Sequence, residues 1–448
     1  MNKKLTHSGF AIQSFDSSEL GERMFKISHR ALPDVFLFPK HLKTSYALFG
    51  VKYGSIDKEL AAQDGTKINV PDGIAHFLEH KLFENPDGSD ASEKFSELGA
   101  DVNAYTSYNK TAYLFSCTEN FAEALKELVY FVTHPHFEQE SVEREIGIIT
   151  EEILMYEDNP YERCFSNLMK ALYKNHSIRK NICGDINSIR QITPSLLFDC
   201  YSAFYKPSNM AIVICADTDT ESIIDVLSEC DFGFDDDLAA PSRETVRDDE
   251  AALGYTEDFM QISKPIFNIG IKDVNIPSSP TERDKKDIAM SILCDMIFSH
   301  SQDLYTELFE SGKISPSFSH GYSICKDFSL ITVSGESDNP QEVFSLFKEH
   351  IAKLRQSDLS RKDFERCKKV MYSDFVKSFD SSEEIANILL GFVFEGSDIF
   401  EYQRMIGKIT YEDVCEQFAN AFSEDFITLS VIYPLDLKNA KKGKDNDE

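Results

Sequence analysis

The chain has 448 residues, more than a single hydrophobic core normally organises, so two or more domains are expected. Hydrophobic residues make up 42% and charged residues 27%, a balance typical of globular proteins rather than of disordered or membrane-spanning ones. The 76 acidic and 46 basic side chains give a net charge of −30, which disfavours nucleic acid and anionic membrane surfaces as partners. The same negative charge favours basic, extended peptides as binding partners. An acidic surface that only keeps the protein soluble is an equally good interpretation.

The compartment is predicted from three features of the sequence. The segment MNKKLTHSGFAIQSFDSSEL at the start has two lysines but no apolar segment after them, so no secretory signal is expected. No apolar run of about 18 residues occurs, so no transmembrane helix is expected. The ten cysteines include no CxxC pair and are typical of reduced thiols rather than of a disulfide framework. The sequence therefore predicts a cytoplasmic protein.

Short β-like segments alternate with long amphipathic helices along the chain. Several of these segments alternate in polarity or follow one another closely, which favours antiparallel pairing over a doubly wound parallel sheet. The predicted fold class is therefore α+β, with helices packed on an antiparallel-rich sheet in each half of the chain. The predicted strands, in chain order, are DVFLFPK (34–40), SYALFGVKYG (45–54), DVNAYTSYNKTAYLFSC (101–117), NMAIVICAD (209–217), FNIGIKD (267–273), GYSICKDFSLITVSGES (321–337) and FITLSVIYP (426–434).

An acidic segment at 231–250 divides the chain into halves of similar length. It contains Pro241 and lacks apolar periodicity, so it is predicted to be a linker. This division predicts a first domain at 1–230, a second domain at 251–440 and a flexible tail at 441–448.

The two halves also resemble each other. IAHFLEH (74–80) aligns with IAMSILC (288–294), and VEREIGIITEEILMYEDN (142–159) aligns with FERCKKVMYSDFVKSFDS (364–381). The alignment predicts two copies of one fold, although two generic amphipathic helices would look similar. Five polar residues of the first half are replaced in the second: His76, Glu79, His80, Glu145 and Glu152 align with Met290, Leu293, Cys294, Cys367 and Asp374. The second half is therefore expected to keep the fold without the chemistry.

The segment PDGIAHFLEHKLFE (71–84) predicts a helix with Asp72 as its N-cap. Because they are four residues apart, His76 and His80 share one helix face, and Glu79 lies beside them. The opposite face is apolar and consists of Ile74, Phe77, Leu78 and Leu82. Two histidines in this arrangement can hold one metal ion, with Glu79 placed to reach a water molecule on it. Partly buried histidines with ordinary hydrogen-bond partners are the alternative.

A catalytic zinc ion takes three protein ligands and keeps one open position, so a third ligand is required. The predicted helix around 138–157 can supply it, because Glu145 and Glu152 are seven residues apart and lie nearly on one line of that helix. We assign Glu152 as the third ligand and Glu145 as a neighbouring group that steers the site electrostatically. Glu151 and Glu157 are the alternatives for the third ligand.

These residues carry a resemblance to a known family. HFLEHKLFE, followed downstream by EREIGIITEEI, resembles the pitrilysin/insulinase family of zinc endopeptidases, in which HxxEH is the inverted zincin motif. NAYTSYNKTAYLF and FYKPSNMAIVIC also resemble that family, so the similarity covers most of residues 45–216. Within the family, the match is closest to bacterial members similar to the mitochondrial processing peptidase.

The resemblance implies a set of site residues: His76, His80 and Glu152 as zinc ligands, Glu79 as general base, Glu145 as auxiliary acid, and Asn103 and Ala104 on an edge strand that pairs with the substrate backbone. An edge strand can bind any extended peptide through main-chain hydrogen bonds. The family's second domain usually adds an Arg and a Tyr near the scissile bond. The corresponding stretch here, TELFESGKISPSFS (306–319), has no Arg, and Phe318 falls near the Tyr position.

The resulting functional hypothesis is a zinc-dependent endopeptidase that cleaves peptides or unfolded segments inside a closed chamber. By resemblance, two chains enclose the substrate, as a homodimer or as a heterodimer with a paralogue that lacks the motif. Such a paralogue would also supply the missing Arg. The alternatives are a non-catalytic scaffold subunit that keeps zinc for structure and a chaperone that binds peptides without hydrolysing them.

Overall fold

The computed structural model describes residues 9–61, 67–234 and 248–437. The chain forms two compact units, and neither is continuous in sequence. The first unit comprises Met1–Ile153, Asn181–Glu244 and Phe375–Phe400. The second unit comprises Leu154–Lys180, Thr245–Asp374 and Glu401–Glu448.

The predicted domain boundaries at 230 and 251 remain predictions. Most of the predicted linker, at 235–247, lies outside the described residues, as does the predicted tail at 441–448. Within the described residues, no helix combines the length and apolar character needed to cross a membrane.

The first unit is built on a seven-stranded sheet. Its strands are β1 (Ala11–Ser17), β2 (Glu22–Ser28), β3 (Asp34–Pro39), β4 (Ser45–Val51), β7 (Ala100–Thr106), β8 (Thr111–Cys117) and β9 (Met210–Ala216). Their order in the sheet is β1-β2-β3-β9-β4-β8-β7. The β3–β9 pair is parallel and the other neighbours are antiparallel. β9 is buried along its whole length, which fits its unbroken apolar sequence. Two short strands, β5 (Glu59–Ala61) and β6 (Lys67–Asn69), pair separately.

The helices of the first unit are α1 (Ile74–Leu82), α2 (Ala91–Glu97), α3 (Phe121–Thr133), α4 (Gln139–Asp158, to Ile153), α6 (Ile186–Ile189), α7 (Pro194–Phe204), α8 (Thr220–Glu229) and α13 (Ser382–Glu395). Helix α1 packs against β7 and β8, and α13 packs against β4 and β9. The buried residues of α13 join one hydrophobic cluster with sheet residues that include Phe38, Leu48 and Val213. Residues late in the sequence therefore complete the core of the first unit.

The second unit contains a five-stranded sheet. Its strands are β10 (Tyr255–Met260), β11 (Ile266–Lys272), β12 (Ser319–Ile324), β13 (Ser329–Glu336) and β14 (Ile427–Pro434), in the order β10-β14-β11-β13-β12. Its helices are α5 (Pro160–Leu172), α9 (Pro280–Phe298), α10 (Asp303–Glu310), α11 (Pro340–Leu354), α12 (Arg361–Lys377, to Asp374), α14 (Ile399–Lys408, from Glu401) and α15 (Tyr411–Asn420). Helix α5 packs against β10, β11 and β14.

The two sheets have matching topology. The order β3-β9-β4-β8-β7 corresponds strand by strand to β10-β14-β11-β13-β12. The parallel pair occupies the same place in both, β3–β9 in the first sheet and β10–β14 in the second. The predicted α+β class with two homologous halves is therefore confirmed. All the predicted strand segments form strands, whereas β1, β2, β5, β6 and β10 were not predicted.

Candidate metal centre

Helix α1 has the two faces that its sequence predicts. The apolar residues of its back face are all at most 2% exposed: Ile74, Phe77, Leu78 and Leu82. On the other face His76 and Glu79 are also buried, at 7% and 8% exposure, while His80 is partly exposed. These two ionisable side chains are buried although they lie opposite the apolar face of α1. Buried ionisable groups require hydrogen-bond or ion-pair partners.

The predicted N-cap of this helix is wrong. Helix α1 begins at Ile74 with Gly73 as its N-cap, at φ 90°, and no side chain caps it. Asp72 instead forms an ion pair with Lys58. The backbone at Gly73 passes close to Cys183 and Gly184, so a Cβ atom on Gly73 would lie 2.3 Å from the Cys183 carbonyl oxygen. This close approach to a segment that is distant in sequence determines where helix α1 begins.

Three predicted ligands converge. One ligand atom from each of His76, His80 and Glu152 can be chosen so that all three lie within 4.8 Å of one another. The His76 Nε2 atom is 3.6 Å from Glu152 Oε1, and the His80 Nε2 atom is 3.5 Å from Glu152 Oε2. A tetrahedral ion with bonds of roughly 2.1 Å separates its ligand atoms by about 3.4 Å. The side chains present therefore fit a zinc ion.

Glu145 orients one of these histidines. Its Oε1 atom lies 2.9 Å from His80 Nδ1, which leaves Nε2 of the same ring directed toward Glu152. A carboxylate on the outer nitrogen of a metal-binding histidine fixes its tautomer and raises its basicity. Burial lowers the pKa of His80, but the hydrogen bond and charge of Glu145 outweigh it, and the net pKa is raised.

His76 has the opposite electrostatic environment. Burial, followed by the neighbouring His80, lowers the pKa of His76 to about 3. The ring is therefore neutral at physiological pH, which is the form that binds a metal ion. Its Nδ1 atom is buried and has no hydrogen-bond partner among the described residues. Its Nε2 atom also lies 3.8 Å from the Cys183 sulfur.

Glu79 is placed beside the ligands and held by a neighbouring strand. The Thr106 hydroxyl on β7 donates a hydrogen bond of 2.5 Å to Glu79 Oε2. Burial raises the pKa of Glu79 to about 6, against the opposing effect of this hydrogen bond. A carboxylate with a pKa near neutrality suits a general base, because it can take a proton and release it again.

Asn103 and Ala104 lie on β7, the strand at one edge of the seven-stranded sheet. They pair on one side with Leu114 and Tyr113 of β8. The Ala104 N–H group donates a hydrogen bond of 2.8 Å to Oδ1 of the adjacent Asn103 side chain. The same strand carries Thr106, so the sheet edge and Glu79 are directly connected.

Phe318 belongs to the second unit and precedes β12. Its side chain is 3% exposed, and its ring lies 5.7 Å from that of Tyr305. Its carbonyl oxygen lies 3.2 Å from His300 Nε2. This conformation presents little of the Phe318 side chain to a ligand, and its substrate contact remains a prediction.

Three residues at or next to the centre were not predicted: Thr106, Cys183 and Lys81. Thr106 could have been suspected, because it lies on the strand expected to bind the substrate. Cys183 has no local signal, since its proximity to His76 arises from a chain crossing. Lys81 had a local sequence signal, because it is a lysine on the otherwise apolar face of α1 that packs inward.

An HxxEH helix paired with a glutamate from a second helix on an α+β scaffold defines the class of inverted-motif zinc peptidases. Residues 62–186 match the family model described as insulinase (peptidase family M16), and residues 191–371 match the peptidase M16 inactive domain. Over 429 residues the chain is 34% identical to a Bacillus subtilis (strain 168) protein named "Uncharacterized zinc protease YmfH", covering 94% of this chain and 99% of that relative. The chain therefore belongs to the M16 (insulinase) peptidase family.

Two further similarities extend this result. The beta subunit of the human mitochondrial-processing peptidase is 27% identical over 170 residues, which is 37% of this chain and 34% of that relative. The crystal structure of a putative M16-like peptidase from Alicyclobacillus acidocaldarius superimposes with a TM-score of 0.85 at 28% identity, covering 96% of this chain and all of that one. The resemblance predicted from HFLEHKLFE is confirmed.

Proposed function

We propose that this protein is a zinc-dependent endopeptidase that cleaves peptides or unfolded segments. The observation that carries the proposal is the convergence of His76, His80 and Glu152, with Glu79 held beside them by Thr106. A site that holds zinc only for structure has no need of a buried carboxylate poised next to the ligands. Relatives named as zinc proteases support the same reading.

His76, His80 and Glu152 would hold the zinc ion, with His80 oriented by Glu145. A bound zinc ion supplies a Lewis acid and an activated water molecule for hydrolysis. Glu79 would accept the proton of the attacking water and return it to the leaving amine. The Thr106 hydrogen bond fixes one carboxylate oxygen of Glu79, so the other is free to take the proton.

The substrate would bind as an additional strand along β7. Edge strands offer unpaired main-chain groups on one side, and an extended peptide can satisfy them without any particular sequence. Asn103 and Ala104 are the proposed contact positions, and Phe318 is a further proposed contact. The net charge of −30 favours basic peptides and disfavours nucleic acid and membrane surfaces as partners.

The setting of the reaction is also part of the proposal. We expect a closed chamber formed with a second chain, in a homodimer or in a heterodimer with a paralogue lacking HxxEH. Such a chamber admits peptides and unfolded segments but excludes folded domains. A cytoplasmic location is part of the same proposal.

The proposal is tested with an internally quenched peptide library, with and without a chelator. We expect cleavage that the chelator abolishes and that added zinc restores. In the matched variants, Glu79→Gln is expected to keep its zinc and lose cleavage, while Glu152→Gln loses both, because only Glu152 is a ligand. Zinc content is measured by elemental analysis.

Three results would contradict parts of the assignment. Substantial turnover by the purified Glu79→Gln variant would remove Glu79 as the base. A zinc-loaded wild-type protein that binds the peptides but yields no products would instead favour the scaffold or chaperone reading. Unchanged zinc in Glu152→Gln would move the third ligand to Glu151 or Glu157.

A further inference from the structure

Lys81 is a buried cation next to a proposed metal ligand. It follows His80 in the last turn of α1, and its side chain is 1% exposed. Its Nζ atom forms an ion pair with Glu84 and donates a hydrogen bond of 2.7 Å to the Ser141 hydroxyl. Ser141 is itself buried in the first turn of α4. Lys81 therefore connects the end of one ligand-bearing helix to the start of the other.

Burial of a lysine side chain has an unfavourable desolvation free energy. Taking an ammonium group out of water is unfavourable, and a buried ion pair is often no more stabilising than well-packed apolar side chains in its place. The first turn of α4 also has a partial positive charge, which does not attract a cation. Stability alone therefore does not account for a lysine at position 81.

The contacts between the two helices form a series. Along α1, His76 contacts Glu152, His80 contacts Glu145, and Lys81 contacts Ser141. Ser141, Glu145 and Glu152 are spaced four and seven residues apart, so they occupy one face of α4. The contact made by Lys81 lies at the end of the series and involves no ligand. It is suited to fix the position of α4 along α1 before a metal ion binds.

We propose that Lys81 is a positioning residue that holds α4 in register with α1 and so preorganises Glu145 and Glu152 for the metal ion. The inference rests on the proposed metal centre. Glu84 adds a second link between the two helices, because it also forms an ion pair with Arg144 of α4. The distance from Glu84 Oε1 to Arg144 Nη2 is 3.6 Å. Without Lys81, the metal ion itself would have to bring the two helices into register, and this would weaken its binding.

The test compares Lys81→Met with the wild-type protein. Zinc affinity is measured on the full chain by competition with a chromogenic chelator, and unfolding of the zinc-free protein is measured by thermal melting. We expect zinc to bind roughly 10- to 100-fold more weakly, the range found when a supporting partner of a metal ligand is removed. The melting temperature of the zinc-free variant reports the loss of the Lys81–Glu84 ion pair separately from any loss of zinc affinity.

Lys272→Met is the matched control. Lys272 is also buried, at 3% exposure, and its Nζ lies 3.2 Å from Asp248 Oδ1, but it belongs to the second unit. This variant is expected to change stability and leave zinc affinity within twofold of wild type. Ser141→Ala, which removes only the hydroxyl acceptor, is expected to weaken zinc binding at least threefold, and it decides the question if Lys81→Met does not fold.

A second readout reports on geometry rather than affinity. The visible spectrum of the cobalt-substituted protein is expected to change in Lys81→Met and to remain unchanged in Lys272→Met. Wild-type zinc affinity in both Lys81→Met and Ser141→Ala would overturn the inference. Failure of the proposed function is separate: a wild-type protein that binds zinc and cleaves nothing refutes the peptidase but leaves these binding measurements valid.

Discussion

Thr106 gives Glu79 a fixed orientation that the helix alone does not supply. Glu79 is buried on α1, and the hydroxyl that donates a hydrogen bond to it lies on β7, after the intervening helix α2. The adjacent Tyr105 hydroxyl donates to Asn387 of α13 at 2.9 Å. Two neighbouring residues of β7 therefore contact the proposed base on one side and a late helix on the other.

Replacing Thr106 by Val is expected to lower kcat/KM for peptide cleavage by about 10-fold, because a hydrogen bond to a charged group contributes roughly 1.5–3 kcal/mol. The effect should appear in kcat, with zinc content unchanged, since Thr106 contacts no proposed ligand. Thr106→Ser keeps the hydroxyl and serves as the control. Steady-state kinetics in which Thr106→Val matches the wild type would show that Glu79 needs no such support.

The residues of the centre differ in how far the sequence reveals them. His76, Glu79 and His80 were predicted because i, i+4 spacing places side chains on one helix face whatever the tertiary structure. Glu152 followed from a seven-residue spacing on a second helix. Thr106 and Cys183 reach the same centre from distant segments. Their contacts depend on how strands and loops cross, which no local pattern encodes.

At the scale of elements, helix α9 keeps the position of α1 in the second unit but has different polar chemistry. Its Asp287 carboxylate accepts a hydrogen bond of 2.7 Å from the Tyr402 hydroxyl. Burial raises the pKa of Asp287 to about 6. Because the folded-state pKa is above that of the unfolded chain, ionisation of Asp287 opposes folding. The stability associated with its neutral form is present at low pH and is lost as the pH rises from about 4 to about 6.

Asp287→Asn is therefore expected to stabilise the protein near neutral pH. The free energy of unfolding, from urea titrations, should exceed that of wild type, and the difference should grow by on the order of 1 kcal/mol between pH 5 and pH 7.5. Tyr402 can still donate to the amide oxygen, so the packing is preserved. A difference that is the same at both pH values would show that Asp287 is not the titrating group.

In each unit, a helix from the other half of the sequence packs against a strand at a glycine. The two glycines lie on corresponding strands of the two sheets. A Cβ atom on Gly50 of β4 would lie 2.4 Å from Leu390 of α13, and one on Gly270 of β11 would lie 2.6 Å from Leu172 of α5. Both glycines let a helix approach the sheet closely. An amphipathic helix pattern indicates only that one face of the helix is buried. It could not predict which sheet covers that face, because hydrophobic burial is not directional.

At the scale of the whole molecule, each sheet is covered by a helix encoded in the other half of the sequence. In the first unit, the buried face of α13 consists of Ile385, Ala386, Leu389, Leu390 and Phe394. Burying such a set contributes roughly 10 kcal/mol, which is comparable to the net stability of a typical domain. The centre on α1 and α4 therefore depends on residues far outside the first half.

A fragment of residues 1–230 is accordingly expected to show no cooperative unfolding and no tight zinc binding. A synthetic peptide of residues 375–400 should restore both when it is added in trans. The same peptide with Leu389→Asp and Leu390→Asp is the control and should have no effect. Calorimetry and zinc titration check these outcomes, and a fragment that melts cooperatively by itself would contradict the expectation.

The late position of α13 also has a consequence for biosynthesis. A chain emerges from the ribosome starting at its N-terminus, so the residues of HFLEH are made long before Leu389 and Leu390. Until those leucines dock, the seven-stranded sheet lacks the helix that covers β4 and β9. The proposed peptidase site is therefore expected to stay incomplete during translation, when unfinished chains, including its own, are the nearest unfolded polypeptides.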